Sequence, residues 1–472
     1  MQEIRIAAAE AGLSVTLESE LPAILPVGDG VTLLVVGRCS HSRKRIARLE
    51  LTACGRRFPA IAHSMPLLEP GRGPDDVADG FWGALEFGAG AEPATTEVGL
   101  EVTLDDGERA GRRLGELSLA TRLEAPSPAP AAPAGDGPLV AICMAAYEPP
   151  ANLLERQLAS IRAQDHRRWL CLISDDCSTE DGHRRLLAAV EGDPRFVVSR
   201  SPRRLGFYRN FERALAMVPA TANFVALSDQ DDWWRPEKLS TLLAAIGDAS
   251  LVYSDVRVVE KSGRIVSESY WSRRRNNSRN FASLLIANTV TGAASLFRRD
   301  LLDLALPFPP PFRKSYHDHW LASVALATGR IAYVDRPLHD YVQHDSAVLG
   351  HSAANFGMSP KRLADTRGAR AKLDKIERSS RDSYFTLVLW LGELARTLEL
   401  RTGRRLSSRR ARVVRRLERF LRPPEPSLWL LVRSARGLVG LNETMYNELY
   451  LFGGIMWRRL MALWLRLGDR HR

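Results

Sequence analysis

Residues 224–227, Phe-Val-Ala-Leu, form a short apolar run of β-formers that stops on acid, continuing Ser228-Asp229-Gln230-Asp231-Asp232-Trp233-Trp234-Arg235-Pro236-Glu237-Lys238-Leu239. Four such residues are too few for a helix and suit a strand buried in a parallel sheet. Pro236 suits the first turn of a helix carrying Leu239, Leu242, Leu243 and Ile246. The carboxylates therefore fall in the loop at the sheet's carboxyl edge, where open α/β sheets bind ligands. Three carboxylates within four residues repel one another, and a divalent cation that also holds a diphosphate relieves this. The plain alternative is a solvated Asp-rich turn capping the next helix.

The same grammar recurs upstream. Leu139-Val140-Ala141-Ile142-Cys143-Met144 reads as a first buried strand ending at Ala145-Ala146-Tyr147-Glu148, and Pro149-Pro150 leads into a helix with Leu153, Leu154, Leu158 and Ile161. Trp169-Leu170-Cys171-Leu172-Ile173 reads as a second strand, ending in Ser174-Asp175-Asp176-Cys177-Ser178. With Phe196-Val197-Val198, the series predicts a βαβ succession whose polar residues share one sheet edge.

In this order, Ala-Ala-Tyr-Glu at 145–148, Ser-Asp-Asp-Cys-Ser at 174–178, Leu-Gly-Phe-Tyr-Arg-Asn-Phe at 205–211, the acidic segment from Ser228, Thr-Gly at 291–292, His-Asp-His-Trp at 317–320 and Tyr-Val-Gln-His at 341–344 resemble family 2 glycosyltransferases of the GT-A fold, most closely the bacterial rhamnosyltransferase-like branch. The resemblance covers roughly residues 138–350. It implies an α/β GT-A-type nucleotide-sugar domain with a UDP- or dTDP-sugar as donor, Mg²⁺ or Mn²⁺ as cofactor, and a glycan or lipid-linked glycan as acceptor in surface-polysaccharide synthesis. Ala146, Tyr147, Asp176 and Asn210 would bind the donor, Asp176 by accepting a hydrogen bond from the base and Tyr147 by lying beside it. Asp229 would face ribose or metal, Asp231 would ligate the metal directly, and His344 would add a further metal or diphosphate contact. Asp318 falls at the family's catalytic base, able to take a proton from an acceptor hydroxyl and so to invert the anomeric configuration; the competing reading makes it a cap for the helix through Trp320, Leu321, Val324 and Leu326. The chain departs from the pattern at His319, where an aromatic is frequent, and after His344, where a frequent Asn is missing.

At 472 residues and 45% hydrophobic content, the chain is long enough for about three domains. Short alternating runs before residue 124, such as Leu13-Val15-Leu17, Val31-Leu33-Val35, Leu49-Leu51 and Leu100-Val102-Leu104, predict a β-sandwich accessory domain over 1–123. Phe81 and Trp82 read as core aromatics, with a glycan-contacting surface as the alternative. Residues 124–138 are a Pro/Ala linker, 139–354 the GT-A domain, and 355–472 a basic α-helical region with Leu387, Leu391, Leu394 and Leu398 at helical spacing. That last region holds 26 Lys or Arg against 11 Asp or Glu, a net +15 in a chain of +11, so the basicity belongs to it alone. Its arginines, with Trp429, Tyr446, Tyr450, Phe452, Trp457 and Trp464, fit either an ordinary helical cap or a peripheral membrane contact through 400–472.

No nucleic-acid motif accompanies the arginines, so no nucleic-acid partner is expected. The first residues lack a signal-peptide core and no uncharged apolar run reaches about 18 residues, which predicts a cytoplasmic location, at the inner face of the membrane if the tail binds lipid. Five cysteines, 39, 54, 143, 171 and 177, read as free thiols. Two other classes stay open: a nucleotidyltransferase, although 145–152 lacks a Gly/Arg/Lys-rich phosphate loop, and a non-catalytic glycan- or polyanion-binding protein.

Overall fold

The computed structural model describes residues 12–68, 78–90, 94–122, 133, 135–271, 274–313, 315–343, 369–421 and 427–468. Nine strands come first: β1 (Leu13–Leu17), β2 (Ile24–Pro26), β3 (Gly30–His41), β4 (Ile46–Ala53), β5 (Arg56–Pro59), β6 (Ala62–Met65), β7 (Gly80–Gly88), β8 (Ala94–Leu104) and β9 (Arg109–Ala120). They form two sheets, ordered β1-β3-β7-β6 and β2-β9-β8-β4-β5. Alternate residues Val31, Leu33 and Val35 of β3 and Phe81 and Leu85 of β7 meet Leu49, Leu51, Leu100 and Val102 of the facing sheet in one buried core, as period-2 patterning requires. The five cysteines are unpaired.

The second unit runs β10 (Val140–Ala146), α1 (Ala151–Arg162), β11 (Trp169–Asp175), α2 (Glu180–Val190), β12 (Phe196–Arg200), α3 (Phe207–Ala216), β13 (Phe224–Ser228), β14 (Trp233–Trp234), α4 (Lys238–Ile246), β15 (Leu251–Glu260), β16 (Ile265–Ser267), α5 (Phe281–Ile286), β17 (Ser295–Arg298), α6 (Leu301–Ala305), α7 (His317–Thr328) and β18 (Ile331–Gln343). Its sheet is ordered β12-β11-β10-β13-β17-β15-β18-β14, with β16 beside β15. Strands β12, β11, β10 and β13 are mutually parallel, and β17 is antiparallel to both neighbours. The chain moves outward from β10 through β11 and β12, then returns to β10's other side with β13. That reversal opens a crevice between the carboxyl ends of β10 and β13, where ligands of open α/β sheets sit.

The described residues of 369–468 are mostly helical. Ala369–Ser383 continues through a π-helical turn, Tyr384–Val388, into Leu389–Thr402, followed by Ser408–Glu418, Ser427–Ser434 and Asn447–Gly468. These helices cover the outer face of the first sandwich sheet. Thr32, Leu34 and Val36 alternate with the sandwich-facing residues of β3 and are also buried, so β3 is shielded on both faces.

Trp82 anchors the seam. It is fully buried, donates from Nε1 to the Tyr384 hydroxyl at 3.2 Å, and its ring centroid lies 5.6 Å from that of Tyr384 and 5.1 Å from that of Phe385. Arg401 ties all three parts together, donating to Gly30 O at 2.7 Å and to Leu304 O and Ala305 O at 3.1 and 3.0 Å. Leu34, Trp82, Leu227, Phe297, Tyr384 and Trp457 accordingly share one hydrophobic cluster.

This packing adds to the linker a third element that binds both the sandwich and the α/β unit. Much of the tail is also a helical cap. Trp457 is core, Trp429, Tyr446, Tyr450 and Phe452 are half-buried, and only Trp464 of the six aromatics is exposed. Arg410 is likewise committed, donating to Ala327 O and Gly329 O at the end of α7, where a cation complements the helix dipole. Trp82→Ala should therefore cost about 3–5 kcal/mol in a guanidinium titration; a loss under about 1 kcal/mol would show that the seam does not hold the parts together.

Candidate active site

Burial of β13 forces Asp229, Asp231 and Asp232 to leave the sheet together, and the structure separates them into two kinds. Asp229 and Asp231 stay half-buried at the crevice. Burial, then the negative charges of Asp231 and Asp318, push the Asp229 carboxyl up to about 7. Asp232 turns inward and is fully buried, with neither oxygen hydrogen-bonded. Its Oδ2 stands 3.6 Å from His339 Nε2, and burial with its acidic neighbours holds its pKa well above the carboxylate range.

Lys238, the first residue of α4, is buried beneath the same loop. Burial drives its pKa well below the ordinary lysine value against the pull of Asp232 and Asp229. It donates to Ala293 O at 2.5 Å and lies 3.6 Å above the Trp234 ring. The lysine thereby fastens the acidic loop to the turn at Gly292–Ala294. β14 fastens it on the other side, Trp233 and Trp234 pairing with Asp340 and His339 of β18.

Asp318 lies in the first turn of α7. The N-cap is Tyr316, which makes no side-chain capping bond; Asp318 Oδ1 instead accepts from the His319 amide at 2.6 Å. Burial raises its carboxyl to about 6, partly offset by bonds from the amides of His319 and Gly292 and from the Asn288 side chain. Its charge reaches Asp229 across the crevice, so the structure brings the acidic loop and Asp318 together. Gly292 is what permits the approach, since a Cβ there would lie 2.7 Å from His317 Nε2 and 3.4 Å from Asp318 Cβ. His317 itself stacks on Phe211 with centroids 3.9 Å apart and is pressed by burial to a pKa of about 3, so it is neutral.

The residues expected to bind the donor cluster at the ends of β10 and β11, but several are already engaged. Asp176 is buried and spends its carboxylate on the 204–206 loop, accepting from Leu205 N at 2.6 Å, Arg204 Nε at 2.8 Å and Gly206 N at 2.9 Å. Asn210 is buried too, its Nδ2 donating to Ser174 O at 2.9 Å and Ala146 O at 3.2 Å, while its Oδ1 has no partner. Ala146 contributes only a carbonyl, shared by Asn210 and the Asp176 amide. Tyr147 is 39% exposed and covered on one face by the Arg204 guanidinium, 3.1 Å from its ring centroid. One face of Tyr147 is thus occupied by a cation, and the hydrogen bonds of Asp176 and Asn210 hold the 204–206 loop and the ends of β10 and β11 in place. His344 lies outside the described residues.

Two contributors were not visible in the sequence. Gln230, between the crevice acids, pairs both ways with the Tyr147 backbone, Oε1 accepting from N at 2.8 Å and Nε2 donating to O at 3.1 Å. It locks the acidic loop to the end of β10 across 83 positions of sequence, with no local signal to mark it. Arg204 is the other, joining Asp176 to Tyr147. Among the described residues no group of three His, Cys, Asp or Glu side chains is arranged to hold a metal ion. The paired carboxylates Asp229 and Asp231, with mutual repulsion to relieve, are nonetheless hard oxygen donors of the type a divalent cation takes.

Residues 141–304 match the model of glycosyl transferase family 2, so this unit is a family 2 glycosyltransferase domain; the match is to the family as a whole rather than to its rhamnosyltransferase-like branch. Among similar proteins, the putative teichuronic acid biosynthesis glycosyltransferase TuaG of Bacillus subtilis is 32% identical over 118 residues, 25% of this chain and 45% of that protein. The putative colanic acid biosynthesis glycosyl transferase WcaA of Escherichia coli is 27% identical over 183 residues, 36% of this chain and 62% of that protein. The chain thus spans less than two thirds of either relative. A solved structure of S. aureus TarS 1–349 in complex with UDP-GlcNAc aligns at 16% identity over 68% of this chain and 92% of that one, with a TM-score of 0.38.

Gly292→Ala should push α7 away from the acidic loop. The expected outcome is a folded protein, by circular dichroism, with sugar transfer reduced at least tenfold or so, as small misplacements of reacting groups cost up to about 10²-fold; full activity would show that this close approach is unimportant.

Proposed function

We propose that the protein is an inverting, metal-dependent glycosyltransferase that moves a sugar from a nucleotide-sugar donor onto a glycan or lipid-linked glycan in surface-polysaccharide synthesis. The observation that carries this reading is that the loop bearing Asp229 and Asp231 and the helix start bearing Asp318 are both packed on the Gly292–Ala294 turn, the loop through Lys238 and the helix against Gly292. The family match over this unit supports it, as do relatives whose names place them in teichuronic and colanic acid biosynthesis.

In this reading Asp231 and Asp229 are the residues that would hold Mg²⁺ or Mn²⁺. Such an ion offsets the charge of the departing nucleoside diphosphate. Asp176, Asn210 and the Arg204-covered ring of Tyr147 shape the nucleotide pocket; UDP and dTDP are the candidate nucleotides. Asp318 receives the proton of the acceptor hydroxyl as that oxygen forms its bond to the anomeric carbon and the donor's C–O bond breaks. Its partial desolvation suits it to the task, because a carboxyl near 6 is a stronger base than a free aspartate and is still ionised at neutral pH.

A base must be deprotonated to act, so activity should rise with pH through a limb near 6 in the free-enzyme profile of kcat/KM. Asp318→Asn should remove about 10²–10⁴ of rate together with that limb, while leaving donor affinity nearly unchanged by calorimetry. A variant that keeps more than about a tenth of wild-type turnover would take the base role away from Asp318. Asp231→Asn should preserve the fold and abolish Mn²⁺-dependent binding of the nucleotide donor, and undiminished binding in calorimetry would remove the metal role.

The C-terminal helices support a further element of this reading, peripheral attachment to the cytoplasmic face of a membrane. Leu460, Leu463 and Trp464 lie on one face of the last helix and are 55%, 55% and 65% exposed, and Arg404, Arg405, Arg409, Arg412 and Arg415 of the preceding helices are exposed as well. No helix among the described residues is long and apolar enough to cross a membrane, which leaves surface adsorption as the mode of contact for this stripe. The protein should co-sediment with anionic but not neutral liposomes, and Trp464→Glu should weaken that association; equal sedimentation with both lipid types would reduce these helices to their bracing role.

A further inference from the structure

A cleft of about 2050 Å³ lies between the sandwich, the glycosyltransferase domain and the C-terminal helices. It is separate from the β10–β13 crevice. Its walls are the β1–β2 and β9 region of the sandwich, including Ile24 and Glu116, the start of α3, the 309–316 segment before α7, and the helix carrying Trp390 and Glu393. Sites for single small molecules occupy about 300–1,000 Å³, so this one holds at least twice what a lone nucleotide sugar fills.

Tyr316 connects the two sites. It lines the cleft and is the N-cap of α7, whose first turn carries Asp318. A ligand running along the cleft therefore arrives beside the carboxylate that would take its proton.

The lining selects among ligands. Ile24 is 61% exposed inside the cleft, and Phe312, Tyr316 and Trp390 are half-buried there, offering amphipathic faces that accept apolar C–H surface at one side and hydroxyls at the edge. The charges on the walls alternate in sign rather than forming one field: Arg38 is paired with Asp79 at 2.8 Å and with Glu18 at 3.3 Å. Polyanions seek a field of single positive sign, and an acyl chain would leave such polar groups without partners. A long, polyhydroxylated chain meets both requirements. Glu393 adds a polar group in search of a donor, since it is buried with both oxygens lacking a hydrogen bond, and its nearest cation, Arg396, stands 4.0 Å away.

We propose that this cleft holds the elongated oligosaccharide of the acceptor, with the sandwich as one wall of the channel and Tyr316 where the channel meets the reaction centre. The assignment rests on the glycosyltransferase reading and extends it to the class and length of the acceptor.

The test uses the full chain and two wall variants remote from the reacting groups, Ile24→Arg and Glu116→Trp, both at exposed positions. Binding of UDP and dTDP with Mn²⁺ is measured by calorimetry, and retention on an array of short and long bacterial surface oligosaccharides is measured in parallel. The expected result is retention of long oligosaccharides by the wild type, about tenfold weaker in each variant, with unchanged nucleotide affinity. Nucleotide binding without retention of any oligosaccharide, or variants that bind them as the wild type does, would overturn the assignment. Loss of all nucleotide binding with the long oligosaccharides still held by the cleft would instead overturn the transferase reading and leave the cleft assignment standing.

Discussion

The candidate site depends on the crowding of three carboxylates at the end of one buried strand. A strand paired on both sides cannot spread its terminal residues, so the negative charges must be met by something. The protein meets one of them internally. Asp232 is turned toward His339 and Lys238, all buried, while Asp229 and Asp231 stay at the crevice. The same lysine reaches Ala293, so the residue that tempers the acidic loop also fixes the turn against which Asp318 is packed. Geometry and electrostatics are in this way both set by a single buried side chain.

The division also explains why three acidic residues in sequence do not make three ligands. In the one-dimensional pattern Asp229, Asp231 and Asp232 differ only in position. Their fates diverge because β14 begins at Trp233 and pairs with β18, which pulls Asp232 into the sheet layer and leaves the two preceding acids outside it. Gln230 completes the arrangement, since an amide can accept from the backbone N–H of Tyr147 and donate to its C=O, where a third carboxylate could only accept.

Much of the architecture was legible from local pattern. Leu13-Val15-Leu17 is β1, residues 140–146 and 169–175 are parallel neighbours, and the helix after Pro236 starts within two residues of it. Asp229 and Asp231 stood out because acid at a strand end leaves a signature in a few adjacent residues, whereas Asp318 was singled out only by the family resemblance. What could not be read was pairing at a distance. Asp176 and Asn210 look like free recognition groups until the 204–206 loop and the end of β10 are placed against them. The tail left two readings open for a related reason, as Arg and Trp interleave equally well on a membrane face and in a seam, and only the partner surface tells them apart. That surface did leave a trace: residues 31–36, Val-Thr-Leu-Leu-Val-Val, contain almost no polar position, which is the pattern of a strand covered on both sides.

Because the outer face of β3 and β7 is closed by helices that lie more than 300 positions further along the chain, the sandwich cannot be treated as an exchangeable module. A chimera given a foreign sandwich would lose the partner of Tyr384 at Trp82 and that of Thr397 at Thr32, and a chain cut before residue 369 would strip the cover from an apolar sheet. The amino- and carboxyl-terminal regions are thus constrained to change together, so that a substitution on one side of the seam calls for a matching one on the other.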